Sequence, residues 1–317
     1  MKFPRPIPVI EIAEKIGAKK ILGDQSLLAL GINEIHKVKE GDIVFSDLKK
    51  YFKKSIESAA TIIILNEEVE CPDGKALLIC DKPFEAYNSI IKKYRPRTPL
   101  SASVSETATI GENVIIEPNV VIGHHVVIGD NSHIMSNTVI YDNAIIGKNV
   151  VIEPNCSIST HAFYFKKHPD HFERWRSGGR TVIEDNVHIG AGSTIAQGVS
   201  GDTVIGEGSK LDCQIMLGHG VVIGKNCLMA AQVGIGGKTI LEDDVILYGQ
   251  VGIAQNLHIG KGAVILAKSG VSKNLAGGKV YFGYPAQEAK SAYKELAALR
   301  NLPAFMKAGR TKVKQEE

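Results

Sequence analysis

The sequence is poor in aromatic residues, in unpaired charge and in long apolar runs. One tryptophan, nine tyrosines and nine phenylalanines stand among 317 residues, so the core must be built from aliphatic side chains. No apolar run approaches the roughly 18 residues that a membrane-crossing helix needs, and none is expected. The five cysteines (Cys71, Cys80, Cys156, Cys213, Cys227) are an odd number without CxxC spacing. That excludes a disulfide framework and points to a reducing cytosol, with Cys156 and Cys227 filling small core positions. Lysine plus arginine (37) against aspartate plus glutamate (34) leaves only +3, too little for the basic field that nucleic-acid binding requires. The first residues, MKFPRPIPVIEIAEKIG, interrupt their apolar positions with prolines, Glu11 and Glu14, so no signal-peptide core is present. A cytoplasmic protein is expected.

What the sequence has instead is a period of six. From Val104 an aliphatic residue recurs at every sixth place to Ile158. The phase breaks, resumes at Ile183, Ile189 and Ile195, slips again, and runs from Ile205 to Val271. Neither a helix (3.6) nor a plain strand (2) has that period, but a short strand plus a turn on each face of a three-sided prism does. The residue four places after the aliphatic one is small or β-branched (Val114, Val120, Val126, Cys156, Cys227), and Asn or Gly marks the corner, as in IGENVI and IGKNVV. Asparagine and glycine tolerate the positive φ of a sharp turn, so the recurring Asn is structural. One coil cannot bury its own apolar face. Stacking supplies the core, and coils pair as parallel strands.

Three regions follow. Residues 1–98 carry the mixed pattern of an α/β domain: helix-like VIEIAEKIG, strand-like GDIVFS, helix-like DLKKYFKKSIESA, the strands ATIIIL and KALLIC, and a helix through PFEAYNSIIKKY capped by Asp81. PRTP, residues 96–99, reads as a linker. Residues 99–283 form the prism, with an excursion at 159–181, and residues 284–317 a helix with Pro285 in its first turn, ending near Pro303, followed by a disordered tail KVKQEE.

The excursion STHAFYFKKHPDHFERWRSGG holds Trp175 between Arg174 and Arg176 and three histidines, His161, His168 and His171. A loop outside a rigid scaffold is a natural site carrier. Without a second compact ligand cluster no metal is expected there, and the loop reads as a solvated lid over a neighbouring subunit. In LDCQIMLGHG, His219 stands two residues after an inward Leu217 and therefore on the outer surface. His124 occupies the same position in its own hexad, so position alone decides nothing. Around His219, however, Asp212 lies seven residues before, and Gly237, one coil of 18 residues on, should lie beside it. A base, a carboxylate and an unhindered N–H are the parts of acyl transfer, and a histidine with a pKa near 6.5 is largely neutral at cytosolic pH.

The hexad pattern resembles the hexapeptide-repeat acyltransferases, which implies a mainly β fold, a left-handed parallel β-helix assembled as a homotrimer. The order of α/β domain, prism with excursion and C-terminal helix resembles the UDP-3-O-acyl-glucosamine N-acyltransferases of lipid A biosynthesis. That resemblance implies transfer of a 3-hydroxyacyl chain from acyl carrier protein, through its phosphopantetheine thioester and with no other cofactor, to a sugar 2-amine. LDCQIMLGHG matches the family's catalytic segment. The match assigns His219 as general base, Asp212 as its supporting carboxylate and the Gly237 N–H as oxyanion donor. GDIVFSDLKKY resembles the uridine-binding segment, with Phe45 and Tyr51 flanking the base. Three departures touch the acceptor side: Leu48 stands where the family has an asparagine, HAFYF (with Phe163) replaces DGFGY, and Asn256 replaces a histidine, with His258 displaced by two places. Lys268, Lys273, Lys290, Lys294 and Arg300 are candidates for contacting acidic acyl carrier protein. Two other readings stay open: an acetyl-coenzyme A-dependent nucleotide-sugar acetyltransferase, and a non-catalytic scaffold.

Overall fold

The computed structural model describes the backbone of residues 1–313 and the side chains of residues 1–307. The prism is present, running from the bridge Val104↔Ile122 to Val280–Phe282. Its three faces are sheets of eight, ten and eight short strands among the described residues, paired in parallel and, away from a few breaks, with each residue beside the one 18 places on, as in Leu217↔Ile235 and Ile235↔Ile253. Among the described residues the one antiparallel addition to the prism is Gln287–Glu288 against Val280–Phe282, which closes one sheet at the C-terminal end.

The periodic aliphatic residues face inward: Ile122, Ile134, Ile140, Ile152 and Ile158 are wholly buried, and Cys156 and Cys227 fill gaps beside them. Burial holds the Cys156 and Cys227 thiols up near 11, so both are inert fillers. Ile110 and Ile116 remain exposed because the first coil is stacked on one side only. The corners behave as the pattern requires. Asn113, Asn119, Asn131, Asn137, Asn143, Asn149 and Asn155 all have φ between 54° and 63°, and neighbouring corner amides bond along the axis, as in Asn119 Nδ2 donating to Asn137 Oδ1 at 3.2 Å.

The N-terminal domain is one sheet of order β1–β3–β4–β5–β6–β2, formed by β1 (Lys2–Pro8), β2 (Lys20–Gly23), β3 (Leu28–Ile32), β4 (Asp42–Ser46), β5 (Ile62–Leu65) and β6 (Ala76–Ile79). The middle four strands run parallel, and the edges β1 and β2 are antiparallel to their neighbours. Helices α1 (Val9–Ile16), α2 (Phe52–Ile56) and α3 (Pro83–Tyr94) accompany it. The prolines of β1 sit on an edge, where a missing N–H costs least.

Two terminal details differ from expectation. Asp81 does not cap α3; it pairs with Lys19 at 2.6 Å, and the helix starts on Pro83, whose fixed φ suits a first turn. The C-terminal helix α4 (Ala289–Val313) begins after Pro285 rather than at it, because Gln287–Glu288 is used as a strand, and it continues through Pro303. Of the tail expected to be disordered, residues 314–317 lie outside the described residues.

Candidate active site

Two breaks in the hexad phase build the site. At the first, Ile146 pairs with Ile183, 37 residues on instead of 18, and the surplus leaves the prism as an antiparallel hairpin of Phe165–Lys167 against Phe172–Arg174. This excursion docks on its own chain and is not a solvated lid. Trp175 lies 5.1 Å from Phe45, 5.2 Å from Phe84, 5.7 Å from Tyr87 and 4.9 Å from Tyr164, ring centre to ring centre. The Arg176 N–H donates to Asn88 Oδ1, and Lys166 pairs with Asp47. A lone tryptophan in an aromatic-poor chain is worth most where it can bury its whole face, and the N-terminal domain supplies that place. At the second break, Ile183 pairs with Ile205, 22 residues on. The extra residues present Ser200, whose hydroxyl accepts the Glu34 N–H at 2.9 Å and whose carbonyl accepts the Met1 amine. The two breaks hold the α/β domain onto one edge of the prism.

Between domain, excursion and prism lies a cavity of about 700 Å³. Phe45, Leu48 and Tyr51 line it from the domain, Tyr164, Lys166 and Trp175 from the excursion, Lys238 and Asn256 from the prism corners. Phe163 is not among the lining residues. It is 79% exposed and packs on Phe165, while its neighbour Tyr164 faces inward.

His219 differs from the sequence expectation in exposure. It is only 7% exposed, because Tyr164 packs over it at 4.9 Å. Gly237 does lie beside it: a Cβ built on Gly237 would come within 2.8 Å of His219 Nε2, so no side chain is possible at 237 with the imidazole in place. The Lys238 N–H donates to the His219 carbonyl at 2.8 Å, and among the described residues no backbone hydrogen bond engages the Gly237 N–H. Burial above all, then Lys238, Lys37 and His36, push the imidazole down to about 4 against the opposite pull of Glu34, so His219 is neutral at pH 7. Its Nδ1 is buried without a hydrogen-bond partner.

Asp212 does not reach His219 within the chain. It occupies the preceding corner, a full prism face away, and its carboxylate accepts the N–H groups of Cys213 (2.7 Å) and Ala231 (3.1 Å). The carboxylate facing the imidazole is Glu34, which pairs with Lys238 at 2.6 Å, and the Lys238 ammonium lies 4.6 Å from the Tyr164 ring centre. Sequence reading missed Glu34, Lys238 and Tyr164. Lys238 left a trace, since a lysine with φ 64° stands at a corner where asparagine and glycine are the rule. Glu34 left none. His258 pairs with Glu242 at 3.1 Å rather than lining the cavity. Lys268, Lys273, Lys290, Lys294 and Arg300 are all exposed. The three excursion histidines part company: His161 bonds Gln197 at 3.0 Å, whereas His168 and His171 stack at the hairpin tip.

Two family descriptions match the chain. Bacterial transferase hexapeptide (six repeats) matches residues 107–141, 125–160 and 202–237, and UDP-3-O-(3-hydroxymyristoyl) glucosamine N-acyltransferase, LpxD, matches residues 30–93. Among solved structures, the UDP-N-acetylglucosamine acyltransferase of Francisella novicida superposes with a TM-score of 0.51 at 30% identity, over 57% of this chain and 64% of that one. LpxA of Bacteroides fragilis gives 0.54 at 27%, over 61% and 73%. Both likenesses support the left-handed hand of the β-helix. The UDP-3-O-acylglucosamine N-acyltransferase of Rhizobium johnstonii is 58% identical over 43 residues, which span 14% of this chain and only 12% of the relative. Proteins of the same name from Parvibaculum lavamentivorans and Anaeromyxobacter sp. match far longer: 32% over 249 residues (68% of this chain, 70% of the relative) and 35% over 242 (67% and 68%). With the repeat, the domain order and the buried histidine corner already in place, these long matches mean that the chain belongs to the UDP-3-O-acylglucosamine N-acyltransferase family.

Proposed function

We propose that the chain transfers a 3-hydroxyacyl group from the thioester of acyl carrier protein to the 2-amine of a UDP-3-O-acyl-glucosamine, in a homotrimer in the cytoplasm. The observation that carries this reading is the corner at 219: a buried, neutral imidazole directly above a glycine whose N–H is unengaged, at the edge of the 700 Å³ cavity. His219 takes the proton of the attacking amine as the C–N bond forms. The Gly237 N–H receives the charge on the carbonyl oxygen. The C–S bond then breaks, and the carrier thiol leaves with a proton. A neutral base with its pKa set below the working pH is available for every turnover.

The cavity suits the acceptor. Aromatic Phe45, Tyr51 and Trp175 offer faces for a base, and Lys54 and Lys167, beside Lys166 and Lys238 paired with Asp47 and Glu34, leave the lining net positive for a diphosphate. Leu48 also lines it, so the base is read there by shape rather than by a side-chain amide. Exposed Lys268, Lys273, Lys290, Lys294 and Arg300 give acyl carrier protein a basic approach.

The test is incubation with UDP-3-O-acyl-glucosamine and a panel of donors, 3-hydroxyacyl carrier proteins of several lengths and acetyl-coenzyme A, followed by mass spectrometry of the nucleotide sugar. N-acylation by a carrier-protein donor is the expected result. Saturable acetylation alone, or no product with any donor, refutes the proposal.

A further inference from the structure

The tip of the excursion hairpin gathers side chains that the acyl-transfer chemistry does not use. Phe165–Lys167 pairs antiparallel with Phe172–Arg174 in the register Lys166↔Glu173 and Lys167↔Phe172, and the His168 N–H donates to the His171 carbonyl at 2.8 Å. His168 and His171 therefore close the hairpin around a two-residue turn, Pro169-Asp170. Because side chains alternate along each strand, Lys166, His168, His171 and Glu173 share one face. Lys166, the cross-strand partner of Glu173, is turned toward Asp47, which leaves the Glu173 carboxylate to the histidines.

The three remaining groups converge. Glu173 Oε2 lies 3.2 Å from His168 Nε2, the two imidazoles stack with centres 4.6 Å apart and planes 3° from parallel, and one ligand atom from each residue lies within 4.8 Å of the others. A salt bridge alone does not account for this. His168 Nε2 is buried and in no hydrogen bond, the contact with Glu173 having the distance but not the direction of one. His171 Nδ1 stands 2.8 Å from Asp170 Oδ1, and because a carboxylate only accepts, that contact favours the tautomer with Nδ1 protonated and Nε2 as the lone-pair nitrogen.

We propose that His168, His171 and Glu173 form a binding site for a divalent late transition metal of the zinc type. Two imidazoles and one carboxylate suit zinc, cobalt or nickel rather than magnesium or calcium, which take oxygen ligands. Zinc–ligand bonds of about 2.0–2.2 Å set tetrahedral ligand atoms roughly 3.3 Å apart. The His168–Glu173 pair already has that spacing, and turning the His171 ring out of its stack on His168 brings in the third ligand. The fourth position opens to water. The metal joins the two strands that follow Tyr164 and precede Trp175, so it fixes the hairpin whose base packs on His219 and on the N-terminal domain.

The test uses the full chain with any affinity tag removed and metals stripped. Cobalt(II) titration should give the intense visible absorption of a tetrahedral site, saturating at one equivalent per chain and displaced by zinc. His168→Ala combined with His171→Ala should lose that absorption. Asp170→Asn, which keeps all three ligands, should weaken binding by about 10- to 100-fold. Zinc should also slow amide exchange in residues 165–167 and 172–174 of the wild type and leave the double variant unchanged. If the double variant unfolds when stripped, Glu173→Gln takes its place and should lose at least as much affinity as Asp170→Asn. Only the weak absorption of hydrated cobalt, or equal affinity in wild type and variants, would overturn the proposal.

Discussion

His124 and His219 occupy the same place in their hexads, two residues after the inward Ile122 and Leu217, on the same edge of the prism, and the coil at each has the same hand, pitch and core. What differs is the residue one coil on. Beside His124 it is Asp142, whose carboxylate accepts the His124 backbone N–H at 2.8 Å, while His124 Nδ1 is tied to Ser105 Oγ at 2.7 Å. Beside His219 it is Gly237, with no side chain and an unengaged N–H. The repeat thus supplies identical sockets, and the proposed chemistry belongs to the one where the neighbouring side chain is removed and Tyr164 closes over the imidazole. At His219 that cover is Tyr164 from the excursion, with Glu34 and Lys238 beside it.

The sharpest break of this comparison is the pair His219→Ala and His124→Ala. The first should lower kcat/KM by about 10²–10⁴, the usual worth of a general base, with circular dichroism and oligomeric state unchanged. The second should leave turnover close to wild type. Equal losses would mean that His219 serves the fold and not the reaction.

A smaller effect is expected from the neighbours themselves. Gly237→Ala places a methyl group 2.8 Å from the position of His219 Nε2, so the imidazole must move away from the amide that the proposed mechanism pairs it with. A loss of about 10²-fold, mainly in kcat, is expected from steady-state kinetics. Asp142→Ala removes a carboxylate-to-amide bond and a negative charge near Arg95, Arg176 and His161, and should cost about 1–2 kcal/mol in denaturant unfolding, with kinetics intact. A kinetic defect in Asp142→Ala matching that of Gly237→Ala would erase the distinction between the two corners.

The same contrast explains what could be read in advance. The prism was legible because its rule is local: every sixth residue must be aliphatic and every corner must accept positive φ, and both demands leave marks on the sequence. The stacking of Gly237 on His219 follows from the same arithmetic. The burial of His219 was not legible, since it depends on where a 37-residue register break sends Tyr164 and Trp175, and nothing in STHAFYFKKHPDHFERWRSGG states that Trp175 will find Phe45 and Phe84. Asp212 looked adjacent because seven residues is a short separation, but in a three-sided coil it is a change of corner. Glu34 lies 204 residues upstream of Lys238 in sequence and 2.6 Å away in space. Pairing across domains of that kind has no periodicity to betray it.

The smallest expected effects are on the pH profile, and their signs separate the buried corner from an ordinary surface histidine. The acid limb of kcat/KM reports the free enzyme's base. A solvated His219 would put it near 6.5, whereas burial, with Lys238, Lys37 and His36, puts it at about 4. Glu34 favours the imidazolium, so Glu34→Gln should move the limb to still lower pH, and Lys238→Met, which removes a cation, should move it up. Each substitution also leaves one member of a buried ion pair alone, costing up to about 3–5 kcal/mol, which thermal unfolding reads separately; the opposite directions of the two limbs are what test the electrostatics. Stability follows the same linkage. His219 and His161, the latter also pushed down to about 4 by burial and by Arg97, Arg176 and Arg174, stay neutral in the folded chain while their unfolded counterparts bind protons below 6.5. Their contribution is whole above pH 6.5 and is lost as pH falls from there toward 4, so the unfolding midpoint should drop across that window, and less steeply in His219→Ala. A limb at 6.5 that neither Glu34→Gln nor Lys238→Met displaces would show that Tyr164 and the N-terminal domain do not keep water from the imidazole.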